Sequence, residues 1–180
     1  KMFLFLPWNL LLAFIPYYIT KKLMARPAWI ENKWKLAAAS LLWLLFIPNS
    51  FYIITDLFHL GKYDEAPRWF DLTLIFSFAW NGLVFGIVSV KQMESIVLLS
   101  YPAPRYSWLF IYFIMWLNAL GIFIVRFLRF NSWDIVTNPF PLLNEILVMV
   151  LHPVEYRYVW GMIFFFAVLM TIMYVTVRRI

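Results

Sequence analysis

The stretch YSWLFIYFIMWLNALGIFIVRF, residues 106–127, decides the fold class. Its one charge, Arg126, stands next to last, and nothing in it alternates polar with apolar as a barrel strand does. Wound as an α-helix it is roughly 33 Å long, enough to cross a bilayer core of about 30 Å. Hydrocarbon offers no water to the peptide groups, so such a run must close its own hydrogen bonds and be helical.

Four more runs of this kind flank it, at about 3–20, 34–59, 70–90 and 158–177, each with its charges at the ends. The expected fold is therefore all-α, a polytopic bundle of five spans forming a single transmembrane domain over 1–180. Two shorter apolar pieces remain, 95–101 and 142–151. The second lies between N-P-F-P and His152-Pro153, too short to cross, and is expected to be an interfacial or re-entrant helix. The chain opens on Lys1, and a further span ahead of it stays open.

Composition agrees. Of 180 residues 64% are hydrophobic and 13% charged, too little polar surface for a water-soluble domain of this length. Cysteine is absent, which removes disulfides, thiolate metal sites and cysteine nucleophiles. The net charge of +6 is spread over short loops rather than one patch, so it reads as a topology signal and not as a nucleic-acid footprint.

Orientation follows from the cations. Lys21, Lys22, Arg26, Lys33, Lys35, Lys91, Arg105, Arg178 and Arg179 fall on one side, and Lys1, Lys62, Arg68, Arg126, Arg129 and Arg157 on the other. The richer set is expected to be cytoplasmic, which puts the N-terminus of this chain outside and its C-terminus inside a cell membrane. Seven of the nine acids and both histidines then lie outside, which makes that face the chemically varied one.

Four spans carry one asparagine each, Asn9, Asn49, Asn81 and Asn118. An amide in hydrocarbon is costly unless bonded, so all four are expected to face the bundle, as glue between helices or as the floor of a polar cavity. Pro48 removes a helical hydrogen bond and predicts a kink in the second span, and Gly82 with Gly86 gives a face for close helix approach.

Beyond Pro48 comes T-D-L-F-H, with Asp56 and His59 three apart, a candidate acid/base pair. Asp71 opens the next span, where a carboxylate also suits a helix N-terminus. No zinc-type spacing is present, so no metal and no cofactor is expected. Arg126 and Arg129 close the fourth span, followed by Asn131, Ser132 and Asp134. Cations are favoured at a helix C-terminus, yet Arg126 lies a turn inside the apolar run, and guanidinium grips carboxylate or phosphate with two hydrogen bonds. Either it pairs with Asp56, Asp71 or Asp134, or it awaits an anionic ligand. H-P-V-E-Y-R, 152–157, adds His152, Glu155 and Arg157 to the same side.

Taken together, FIPNSFYIITDLFHL (46–60), WFDL (69–72), AWNG (79–82) and RFLRFNSWD (126–134) resemble the bacterial integral-membrane family known as domain of unknown function 1361. The similarity covers nearly the whole chain. It implies a small multi-span membrane protein and transfers no activity, substrate or catalytic residue.

The leading expectation is an outward-facing polar pocket for an anionic small molecule or lipid headgroup. Arg126 and Arg129 would grip the anion, Asp71 and Asp134 would lie beside them, Asp56 and His59 would orient it or exchange a proton, and Asn81 and Asn118 would line the floor. Two alternatives stand beside it: a membrane enzyme acting on a lipid-linked substrate at the outer leaflet, and a non-catalytic subunit bound to another membrane protein.

Overall fold

The computed structural model describes residues 5–59, 67–100, 102–128, 137 and 139–178, with only the backbone of residues 58, 59 and 100. All its regular elements are helical, and the described residues contain no strand. They are α1 (Phe5–Met24), α2 (Pro27–Glu31), α3 (Lys33–Tyr52), a 3-10 helix (Ile53–His59), α4 (Arg68–Ser100), α5 (Pro104–Arg126), α6 (Pro139–Leu151) and α7 (Arg157–Arg178).

Among the described residues four helices are long and apolar enough to cross a membrane: Lys33–Leu57, Arg68–Leu99, Pro104–Arg126 and Arg157–Arg178, with mean hydropathy between 1.7 and 2.1. Of the fifth expected span, 3–20, the described residues form α1, which is 20 residues long and, taken from Phe5 on, is not among these four. Pro7, Trp8, Asn9, Pro16, Tyr17 and Tyr18 interrupt it, and Lys21 and Lys22 close it. The short apolar helix expected at 142–151 is present as Pro139–Leu151, its start advanced to Pro139, whose fixed φ suits a first helical turn.

The other short piece, 95–101, is not a separate element over its described residues, 95–100. α4 runs unbroken for 33 residues, close to 50 Å, from Arg68 to Ser100. Its polar segment around Lys91, Gln92 and Glu94 looked like a loop in sequence. The helix continues through it, and Glu94, almost fully buried, accepts a hydrogen bond from the Ser107 hydroxyl at the start of α5.

The chain falls into two compact units, residues up to 111 and residues from 112 on, and each is described by itself. In the first, α1 packs on both α3 and α4. Contacts fix the directions. Ser50 Oγ donates to the Ala13 carbonyl at 2.8 Å, which sets α3 against α1. The Phe14 and Tyr17 rings meet Phe85, with centroids 5.3 and 5.5 Å apart, which sets α4 parallel to α1. A Cβ on Gly82 would stand 2.6 Å from Ile53 Cγ2, and one on Gly86 2.9 Å from Ser50 Cβ. The two glycines let α3 and α4 close to a distance that any side chain would prevent, as their spacing suggested.

α3 stays α-helical through Pro48 and tightens only at Ile53. The tighter winding decides where Asp56 stands. With three residues per turn, positions 53 and 56 stack on one face, so Asp56 follows Ile53 inward, and each is 1% exposed or less.

In the second unit, the α5 segment from Tyr112 buries Met115, Ala119, Ile122 and Phe123, and α7 buries Ile163, Ala167, Met170 and Tyr174. Trp160 on α7 donates its indole N–H to the Met149 carbonyl on α6 at 3.3 Å. An apolar groove of about 280 Å³ is lined by Tyr112, Trp116, Phe164, Val168, Thr171 and Ile172, among others.

Candidate functional site

Asp56 is brought inside by the 3-10 turn and meets α1 there. The Asn9 side-chain amide donates to Asp56 Oδ2 at 2.8 Å. The side chain thus accepts a hydrogen bond from a residue 47 positions away and is buried from solvent. Asn9 was visible in the sequence as one of four intramembrane amides. Its pairing with Asp56 was not, because nothing local signals which helices become neighbours. The backbone of His59 continues the 3-10 helix, and its side chain lies outside the described residues.

Asp71 occupies the first turn of α4 at the head of a buried stripe that continues through Ile75, Ala79, Leu83, Ile87 and Val90. That stripe carries the carboxylate inward, leaving it 1% exposed. Neither oxygen has a hydrogen-bond partner among the described residues. The register of Ile53 on Gly82 places Asp71 roughly 10 Å beyond Asp56 along the helix axes, at the same end of the unit.

The asparagines separate. Asn49 is buried and donates to the Phe46 carbonyl at 3.1 Å. In the second unit Asn118 is fully buried, and both its amide atoms lack a partner among the described residues. Asn81 does not face the interior of the first unit. It is exposed on α4 in line with Thr73 and Ser77, and each of the three donates to the carbonyl four residues back, Asn81 to Ser77 at 2.8 Å. The intervals of four that put Asp71, Ile75 and Ala79 inside put these three outside.

Arg126 is the last residue of α5 and half-buried, where a cation complements the helix dipole. Arg129 and Asp134 lie outside the described residues. His152, Glu155 and Arg157 are exposed, and His152 Nδ1 stands 3.2 Å from the Val148 carbonyl of its own helix. Among the described residues no three His, Asp or Glu gather in a way that would hold a metal.

One constellation left no trace in the sequence. At the opposite end of the first unit from Asp56, the Trp43 indole N–H donates to Ser89 Oγ at 2.7 Å, Ser89 Oγ lies 3.4 Å from Thr20 Oγ1, and Thr20 Oγ1 donates to Gln92 Oε1 at 2.6 Å. Thr20 and Ser89 are fully buried. This chain ties α1, α3 and α4 together through groups that are individually ordinary in sequence, and buried hydroxyls so satisfied act as a lock.

A family model described as "Protein of unknown function (DUF1361)" matches residues 8–173. No curated protein and no solved structure matches the chain.

Proposed function

The chain belongs to that family, and we propose that it is a multi-pass protein of the cell membrane whose acid-bearing end binds a small polar ligand or a lipid headgroup. One observation carries this reading. Asp71 is buried with both oxygens unpartnered among the described residues, and a buried carboxylate without donors costs several kcal/mol. A ligand hydroxyl or ammonium seated there would remove the penalty. Asp56, held by Asn9, would add a second acceptor at the same end. In the second unit, Arg126 and Arg129 are proposed to grip an anionic group, phosphate or carboxylate, by paired N–H donors. The cation-rich ends of α1 and α3 support a cytoplasmic assignment for that side, with the N-terminus of the chain outside and the C-terminus inside.

Native mass spectrometry of protein extracted without delipidation tests the ligand. Bound adducts are expected on the wild type, that of the acid-bearing end lost or weakened at least tenfold by Asp71→Asn and that of the second unit by Arg126→Ala. A wild type free of adduct, or an adduct indifferent to both substitutions, would sink the proposal.

A further inference from the structure

At the end of the first unit away from Asp56 and Asp71, α1 turns into α3 through a short, well-bonded corner. The Arg26 N–H donates to the Leu23 carbonyl at 3.0 Å and the Trp29 N–H to the Arg26 carbonyl at 2.8 Å. Asn32 then caps α3, its side-chain oxygen accepting from the N–H groups of Trp34 and Lys35 at 3.1 Å each. This corner fixes where its side chains stand. Arg26 approaches from one side of the corner and Lys35 from the other, and both settle on the ring of Trp29, with the guanidinium 5.4 Å and the ammonium 6.0 Å from the centroid. Lys21 and Lys22 stand in the same way on Tyr17 and Tyr18, at 5.8 and 4.9 Å.

Two features of this arrangement point to a ligand. First, the corner gathers cations without acids. Residues 21–35 contain Lys21, Lys22, Arg26, Lys33 and Lys35 against Glu31 alone, and none of the five makes an ion pair with a described residue. Second, two of these like charges converge on one indole, although repulsion favours their separation. Every one of the five cations is exposed, while Trp29 and Tyr17 are half-buried, so the charged heads are open and two of their aromatic seats are partly sunk into the unit. Such aromatic residues at the ends of apolar helices lie at headgroup depth.

We propose that the α1–α3 corner is a binding site for the phosphodiester headgroup of an anionic membrane lipid, received between Arg26 and Lys35 beside Trp29. Guanidinium supplies two parallel donors to a phosphate oxygen pair, and the ammonium supplies a mobile third. The lipid's acyl chains run down the apolar flank of α3, where Leu41 and Leu42 are exposed. This site is separate from the acid-bearing end, and each stands or falls without the other.

The test uses the full chain in nanodiscs of phosphatidylcholine, with and without phosphatidylglycerol, and native mass spectrometry of the lipids it retains. Each basic group near an anionic surface favours binding by about fivefold. The wild type is therefore expected to retain phosphatidylglycerol over phosphatidylcholine by at least tenfold, and the double substitution Arg26→Gln with Lys35→Gln to bring that ratio near one. The charge-conserving pair Arg26→Lys with Lys35→Arg should keep most of the preference, which separates lost charge from lost folding. On the unaltered protein, salt near 1 M, where the Debye length is about 3 Å, should erode the same ratio. Arg157→Gln, at an exposed cation outside the corner, should leave it unchanged. The inference is overturned if the wild type shows no preference, if the double glutamine variant keeps it, or if Arg157→Gln abolishes it. It is also overturned if inorganic phosphate binds the protein in phosphatidylcholine alone as tightly as the lipid does.

Discussion

Asp56 and Asp71 are the same chemical group at the same end of one unit, and only one of them has a donor from a neighbouring helix among the described residues. Asn9 gives Asp56 its hydrogen bond, so Asn9→Ala leaves a buried carboxylate short of a donor. A loss of about 1–2 kcal/mol in unfolding free energy is expected, read from denaturant unfolding in detergent, because a hydrogen bond to an ionised group in a membrane bundle is worth about that much. No change would mean that Asp56 is held by something else. The residue types of this end were legible beforehand. That Asp56 is a candidate follows from a carboxylate at the edge of an apolar run. Which residue answers it does not, since Asn9 reaches it only through the packing of two helices far apart in sequence. Asn81 was misplaced for a related reason. An intramembrane amide is expected inside, but its hydrogen bond to Ser77 within its own helix lets it stand on the outer face.

Two glycines show the contrast between helices that must approach and helices that have room. Gly82→Ala would bring a methyl group to 2.6 Å from Ile53 and is expected to cost about 1–3 kcal/mol, with the α3–α4 contact loosened. Gly161 on α7 meets nothing within 4 Å, so Gly161→Ala should be neutral or stabilise by up to about 1 kcal/mol through helix propensity. Thermal unfolding of the two variants side by side checks the pair, and equal effects would contradict the packing described. The small-residue spacing on α4 was readable because glycine pairs four apart have few other uses in a span. The 3-10 segment after Tyr52 was not, because Ile-Ile-Thr-Asp-Leu-Phe-His has no composition that separates i+3 from i+4 winding. The length of α4 was also hidden, since Lys91 and Glu94 resemble a loop until Ser107 is seen to satisfy the glutamate.

For the whole molecule, hydropathy led to an expectation of five spans, and among the described residues four helices are long and apolar enough to cross a membrane. Sidedness is open to a direct measurement that this chain makes easy, since it has no cysteine to remove. Lys33→Cys and Arg68→Cys, both at exposed positions, should react with a membrane-impermeant maleimide from opposite sides: Lys33→Cys only after the cytoplasmic face is opened, Arg68→Cys in intact cells. The reverse pattern would invert the orientation, and labelling of both from one side would contradict the antiparallel course of α3 and α4.

The hydrogen-bonded chain through Trp43, Ser89, Thr20 and Gln92 is fixed at its head and adaptable in its middle. An indole N–H can only give, so the Ser89 oxygen accepts there. Thr20 has one proton and four acceptors within reach, the Pro16 and Tyr17 carbonyls, Ser89 Oγ and Gln92 Oε1. Turning that one hydroxyl changes its acceptor without moving a helix. Three helices are thus tied by a joint that can redistribute its bonds while it stays closed.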